Sequence, residues 1–131
     1  MGKKYILDAN AVIDYVGNKL PSISARAMDK LVNDQLNTSI VVKIEVLGFN
    51  GDDSEMEKLN EFLGLSTIFY IDDAVAEKAI DLRKSYRKLK LGDAVIAATA
   101  LLNNFVLLSR NSKDFQGIKG LECFNPHELK L

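Results

Sequence analysis

The sequence predicts an α/β fold: one three-layer domain over residues 1–131, with a central parallel sheet of four to five strands and helices on both faces. Three observations carry this expectation. Short apolar runs alternate with longer segments of helical periodicity along the whole chain. The strand-like runs are apolar throughout, as strands covered on both faces are. Each strand is followed by a helical segment before the next strand, and such crossovers make neighbouring strands parallel.

Tyr5-Ile6-Leu7 reads as a buried strand ending at Asp8. Asn10 is placed to cap the next helix, in which Val12, Ile13 and Val16 share a side. Pro21-Ser22 opens a second helix, with Ile23, Ala27, Met28 and Leu31 facing inward. The β-branched run Ser39-Ile40-Val41-Val42 is expected to be the second strand, and residues 43–49 a short helix ending near Gly48. A loop at 51–54 leads into a helix carrying Met56, Leu59 and Leu63, and residues 67–71 form a third strand. Asp72 or Asp73 caps a long helix lined by Val75, Ala79 and Leu82, which Gly92-Asp93 is expected to break. Residues 94–102 are apolar nearly all round, so that helix should be central. Phe105-Val106-Leu107-Leu108 is the fourth strand, and Glu122-Cys123-Phe124 is read as a fifth.

Composition narrows the function classes. Apolar residues make up 47% and charged residues 27%, which supports a core and argues against disorder. No apolar run spans a bilayer, and Asp8 and Asn10 interrupt the first apolar stretch, so neither a membrane role nor an export signal is expected and the predicted location is cytoplasmic. Cys123 is the only cysteine, which rules out an internal disulfide or a cysteine zinc site, and it is expected to be a small buried side chain. Asn37-Thr38-Ser39 matches a glycosylation acceptor but, without a secretory signal, carries no weight. A net charge of −1 and a pI near 5.8 do not suit an avid general nucleic-acid binder, yet they allow a local basic patch beside an acidic site.

Ligands of open parallel sheets bind beyond the carboxyl ends of the strands. Asp8 ends the first strand, Glu45 follows the second by a few residues, and Asp114 follows the fourth after a short turn. Asp93 joins them if the central helix starts at the same edge. Carboxylates gathered in a partly dry cleft repel one another, so a cluster of this kind suggests a hard divalent cation. Mg²⁺ fits best, because it binds through a few carboxylates, keeps several waters and contacts phosphate oxygens. Such an ion acidifies water and stabilises a leaving oxygen, which amounts to phosphodiester hydrolysis. His127 has no evident partner for a catalytic triad.

With these residues in view, the chain resembles the PIN-domain family, and within it the VapC-type toxins of toxin–antitoxin pairs. The resemblance rests on Ile6-Leu7-Asp8-Ala9-Asn10, on residues 43–49 around Glu45, on residues 89–100 around Gly92-Asp93, and on Ser109-Arg110-Asn111-Ser112-Lys113-Asp114-Phe115. It implies an endoribonuclease in which Asp8, Glu45, Asp93 and Asp114 hold Mg²⁺ or Mn²⁺, with Asn10 and Asn111 shaping the site. It also implies an RNA substrate, an antitoxin partner and a homodimer. Ala9 stands where the family often has Ser or Thr, and Gly92 where it often has Pro.

Each residue also has a plainer role. Asp8 and Asp114 could be turn residues, Asn10 and Asp93 helix caps, and Glu45 a solvent-facing helix position. Arg83, Lys84, Arg87, Lys88 and Lys90 read equally as a solvated helix end or as an RNA-backbone contact leading into Asp93, and Arg110 is a further RNA-binding candidate. The acidic stretch Asp52, Asp53, Glu55, Glu57 and Glu61 reads as a solvated helix face. A PIN nuclease of RNA processing and an inactive PIN binding module stay open as alternatives. An aspartyl-phosphate phosphatase is discounted, because Asn10 stands where that chemistry needs a second acid.

Overall fold

A computed structural model describes residues 3–130; Met1, Gly2 and Leu131, the ends of the expected 1–131 domain, lie outside the described residues. The elements in chain order are β1 (Lys4–Leu7), α1 (Ala9–Val16), α2 (Ser22–Asp34), β2 (Asn37–Ser39), α3 (Ile40–Leu47), α4 (Asp53–Gly64), β3 (Thr67–Phe69), α5 (Asp73–Ser85), α6 (Leu91–Asn103), β4 (Phe105–Leu108), α7 (Ser112–Phe115) and β5 (Cys123–Phe124). A 3₁₀ turn, Pro126–Glu128, follows. The strands form one five-stranded sheet of order β3-β2-β1-β4-β5, and every pairing is parallel. The predicted α/β architecture is therefore the observed one.

The strand order decides where a site can form. From β1 the chain moves outward to β2 and β3, then crosses back to lay β4 on the other side of β1. The direction of winding switches between β1 and β4, and there the connections leave in opposite directions and open a crevice at the carboxyl ends.

Ile6, Leu7 and all four residues of β4 are buried, as expected of strands covered on both faces. In α6 every residue from Ala94 to Ala100 is buried. Its four alanines allow close approach, and α6 packs against α5, α3 and β4. The helix ends at Asn104, which takes a left-handed conformation (φ 54°) that turns the chain into β4. No helix among the described residues is long and apolar enough to cross a membrane.

Four local expectations are corrected. The run Ile40-Val41-Val42 is helical, because β2 stops at Ser39, whose hydroxyl accepts from the Val41 N–H at 3.2 Å and caps α3. β-branched residues favour strands mainly through packing, and here Val42 and Val46, four apart, bury one face of a helix. Asp8, not Asn10, caps α1. The break before α6 falls over residues 86–90 and α6 already begins at Leu91, so Asp93 lies within its first turn and does not cap it. β3 is shorter than expected and ends at Phe69.

Two plainer readings are settled. Asn37 is 1% exposed, with its amide donating to the Tyr5 carbonyl at 3.0 Å, so the glycosylation pattern is structural. Cys123 is half-buried, and burial together with the charge of Asp8 pushes its thiol up to about 12, so it stays protonated.

Candidate active site

Asp8 follows β1 and Ser109 follows β4, so the two face each other across the switch point. The Asp8 N–H donates to the Leu108 carbonyl at 3.0 Å, which extends the ladder to the sheet edge. One Asp8 oxygen, Oδ1, accepts from the Ala9 N–H at 2.9 Å, and Oδ2 accepts from the Ser109 hydroxyl at 2.9 Å. Ser109, fully buried, also accepts from the Asn111 N–H at 3.1 Å and from the Asn10 amide at 3.5 Å. Its one donor and two acceptor positions are thereby filled. Asn10 Oδ1 in turn accepts from the Arg110 N–H at 2.8 Å, tying α1 to the loop after β4.

A cleft of about 510 Å³ opens here, lined by Asp8, Asn10, Glu45, Asp93, Asn111 and Asp114 together with the cationic Lys19, Lys90 and Arg110. The four acids come from four places in the fold: the end of β1, the second turn of α3, the first turn of α6 and the short α7. Burial acts on three of them, and neighbouring charges on two. Burial raises the Asp8 carboxyl above its ordinary value, and the bonds from Ala9 and Ser109 pull it back only in part. Glu45 is raised by burial and then by the charges of Asp8 and Asp93. Asp93 is raised by burial and by Asp8 and Asp114, while Lys90 opposes the rise.

A second cleft, of about 630 Å³, continues from the first past Lys90, Asp93 and Asp114. Arg87, Lys88 and Lys113 line it with Tyr86 and Leu89. The basic run is thus divided. Arg87, Lys88 and Lys90 reach the site's margin, whereas Arg83 and Lys84 occupy the last turn of α5 outside both clefts, where cations suit the helix dipole.

Ser109, Lys19, Lys113 and Asp14 escaped the sequence reading as members of this site. Ser109 alone left a signal, as a polar residue directly after a wholly apolar strand. His127 does have a partner: its Nε2 stands 2.8 Å from the buried Asp14 carboxylate.

The donor set is all oxygen, which suits a hard divalent cation. Among the described residues no three His, Cys, Asp or Glu side chains are drawn together as a ready-made metal shell. Mg²⁺ does not require one, because it retains several waters and binds through one or two carboxylates.

A family model described as "PIN domain" matches residues 5–121. The chain belongs to the PIN-domain family. This PIN domain is 28% identical to Ribonuclease VapC1 of Methanocaldococcus jannaschii, over 93% of this chain and 88% of that protein. It is 27% identical to Ribonuclease VapC1 of Haemophilus influenzae (strain R2866), over 90% and 94% of the two chains. Among solved structures, a chain of a toxin–antitoxin complex from Klebsiella pneumoniae superposes with a TM-score of 0.73 at 29% identity, covering 96% of this chain and 100% of its own. A chain of FitAcB from Neisseria gonorrhoeae gives a TM-score of 0.75 at 25% identity, covering 95% and 99%.

Proposed function

We propose that this PIN domain is a divalent-metal-dependent endoribonuclease and the toxin of a toxin–antitoxin pair. One observation carries the chemistry: carboxylates from four separate elements line one cleft at the sheet's switch point, three of them are raised, and for Glu45 and Asp93 the charges of neighbouring carboxylates contribute to the rise. The toxin assignment draws on relatives named Ribonuclease VapC1 and on the similarity to a toxin–antitoxin complex chain.

Asp8, Glu45, Asp93 and Asp114 are the residues that would hold Mg²⁺ or Mn²⁺. When bound, such an ion offsets their repulsion, polarises a phosphoryl oxygen and makes water a competent nucleophile at neutral pH. Asp8 is the most rigidly placed of the four, fixed through Ser109 and the Ala9 N–H. Asp93, whose charge is coupled to those of Asp8, Glu45 and Asp114, is the electrostatic centre of the group. Asn10 and Asn111 shape the site through Ser109 and Arg110 rather than by carrying charge. Arg87, Lys88, Lys90 and Lys113 bind the RNA backbone along the second cleft, and Arg83 and Lys84 act only at longer range. An antitoxin that silences the nuclease and a homodimeric state complete the proposal; the exposed apolar side chains Ile44 and Leu91, on the helices that carry Glu45 and Asp93, offer surface for such partners.

The test is incubation of the purified chain with structured RNA in Mg²⁺ or Mn²⁺, in chelator, and as Asp8→Asn and Asp93→Asn. Cleavage should stop in chelator and fall about a hundredfold or more in each variant, the rate equivalent of several kcal/mol of lost charge stabilisation. Undiminished cleavage in chelator or in both variants would refute the mechanism.

A further inference from the structure

Asp14, in the second turn of α1, is a carboxylate only 2% exposed that takes no part in the acidic quartet. Buried carboxylates persist where they are paired, and this one has two partners from distant parts of the chain. Arg110 Nη1 stands 3.1 Å from Asp14 Oδ2 and 3.3 Å from Oδ1. His127 Nε2 approaches the same Oδ2 at 2.8 Å, so the carboxylate is shared and not given over to Arg110 alone. His127 is itself fixed, its N–H donating to Asn125 Oδ1 at 3.0 Å and its carbonyl accepting from the Ser24 hydroxyl at 2.9 Å.

The Arg110 side chain is 54% exposed and lines the acidic cleft. Among the described residues its side chain is engaged only through Nη1, which leaves Nε and Nη2 to donate elsewhere. A guanidinium gripped at one nitrogen and open at the others suits bidentate contact with a phosphate. Its position is complementary to the basic cleft. Arg110, Asp14 and Lys19 line one end of the joined clefts, Arg87, Lys88 and Lys113 the other, and Lys90, Asp93 and Asp114 belong to both.

Resting on the nuclease reading above, we infer that Arg110 binds an RNA backbone phosphate on the α1 side of the acidic quartet, and that Asp14 and His127 are the positioning residues that aim it. The strand then crosses the quartet with a cationic contact on either side. Removing His127 acts only through Arg110, a coupling that a merely structural role would not produce.

The test is a double-mutant cycle on Arg110→Ala and His127→Ala, with His127→Gln as the variant that keeps a side-chain donor. It is read twice on one labelled single-stranded RNA: as Kd in chelator, and as KM and kcat for cleavage in Mn²⁺. Arg110→Ala should raise Kd and KM about tenfold, the scale of one charge-assisted hydrogen bond. His127→Ala should raise both severalfold, the double variant should be no worse than Arg110→Ala, and His127→Gln should recover most of the loss. Additive losses, or Kd and KM unmoved by Arg110→Ala, would overturn the inference. The Kd arm separates the two ideas: this pattern in a chain that cannot cleave removes the nuclease reading and leaves the positioning network, whereas cleavage with unchanged KM does the reverse.

Discussion

Ser109 carries three hydrogen bonds on one oxygen, to Asp8, Asn10 and Asn111, and joins the ends of the two central strands. Ser109→Ala leaves Asp8 Oδ2 without its donor in a buried setting, so the folded chain should lose about 1–3 kcal/mol in denaturant unfolding. The same bond lowers the Asp8 carboxyl. Its loss should therefore move the acidic limb of the cleavage pH profile upward, and a limb that moved downward would contradict this role. At this scale Asp8 was legible in the sequence, because an acid ending an apolar run stands out, and Glu45, Asp93 and Asp114 were read from their place relative to the strands and the central helix. Ser109 left only its place directly after an apolar strand, and Asp14 left nothing, since the chain does not show which polar side chains the fold will bury.

At the scale of elements, α6 and α3 meet at the site. A Cβ at Gly92 would lie 3.1 Å from Glu45 Oε1 and 3.4 Å from Val41 Cγ1. The close atom on the Glu45 side is the end of a flexible side chain, so the carboxylate can yield. Gly92→Ala should then hold or raise stability by up to about 1 kcal/mol through helix propensity. It should also displace Glu45 and lower cleavage severalfold; a variant equally stable and fully active would show that Glu45 tolerates the shift. The sequence placed α6 correctly as the central helix because its apolar surface is continuous. It placed the start late because Gly92 looks like a breaker, whereas the chain leaves α5 at Tyr86 with Leu89 buried in the turn that follows. The start of α3 was masked by three β-branched residues whose helical burial only the tertiary structure decides.

The whole molecule balances a packed parallel sheet against carboxylates that repel at its edge. Asp8, Glu45 and Asp93 all sit above their ordinary values when folded. The folded chain then holds protons that the unfolded chain has released, so without metal its stability falls as pH rises from the ordinary carboxylate range through the raised values. Thermal unfolding in chelator between about pH 4 and about pH 8 should show that decline. Asp93→Asn should flatten it, and added Mn²⁺ should restore stability at neutral pH by mass action, about 2.7 kcal/mol at a hundredfold excess over Kd. Stability that rose steadily with pH in chelator would contradict the picture. The layered α/β architecture was legible from alternation alone, but the order β3-β2-β1-β4-β5 was not, and it is that order which puts Asp8 and Ser109 side by side.

The most direct measurement is the position of Mn²⁺ by anomalous diffraction from crystals of the chain soaked with the ion. A peak in the cleft among Asp8, Glu45, Asp93 and Asp114, absent in Asp93→Asn, is the expected result. A cleft without a peak in Mn²⁺-saturated crystals of a chain that cleaves RNA would contradict the account.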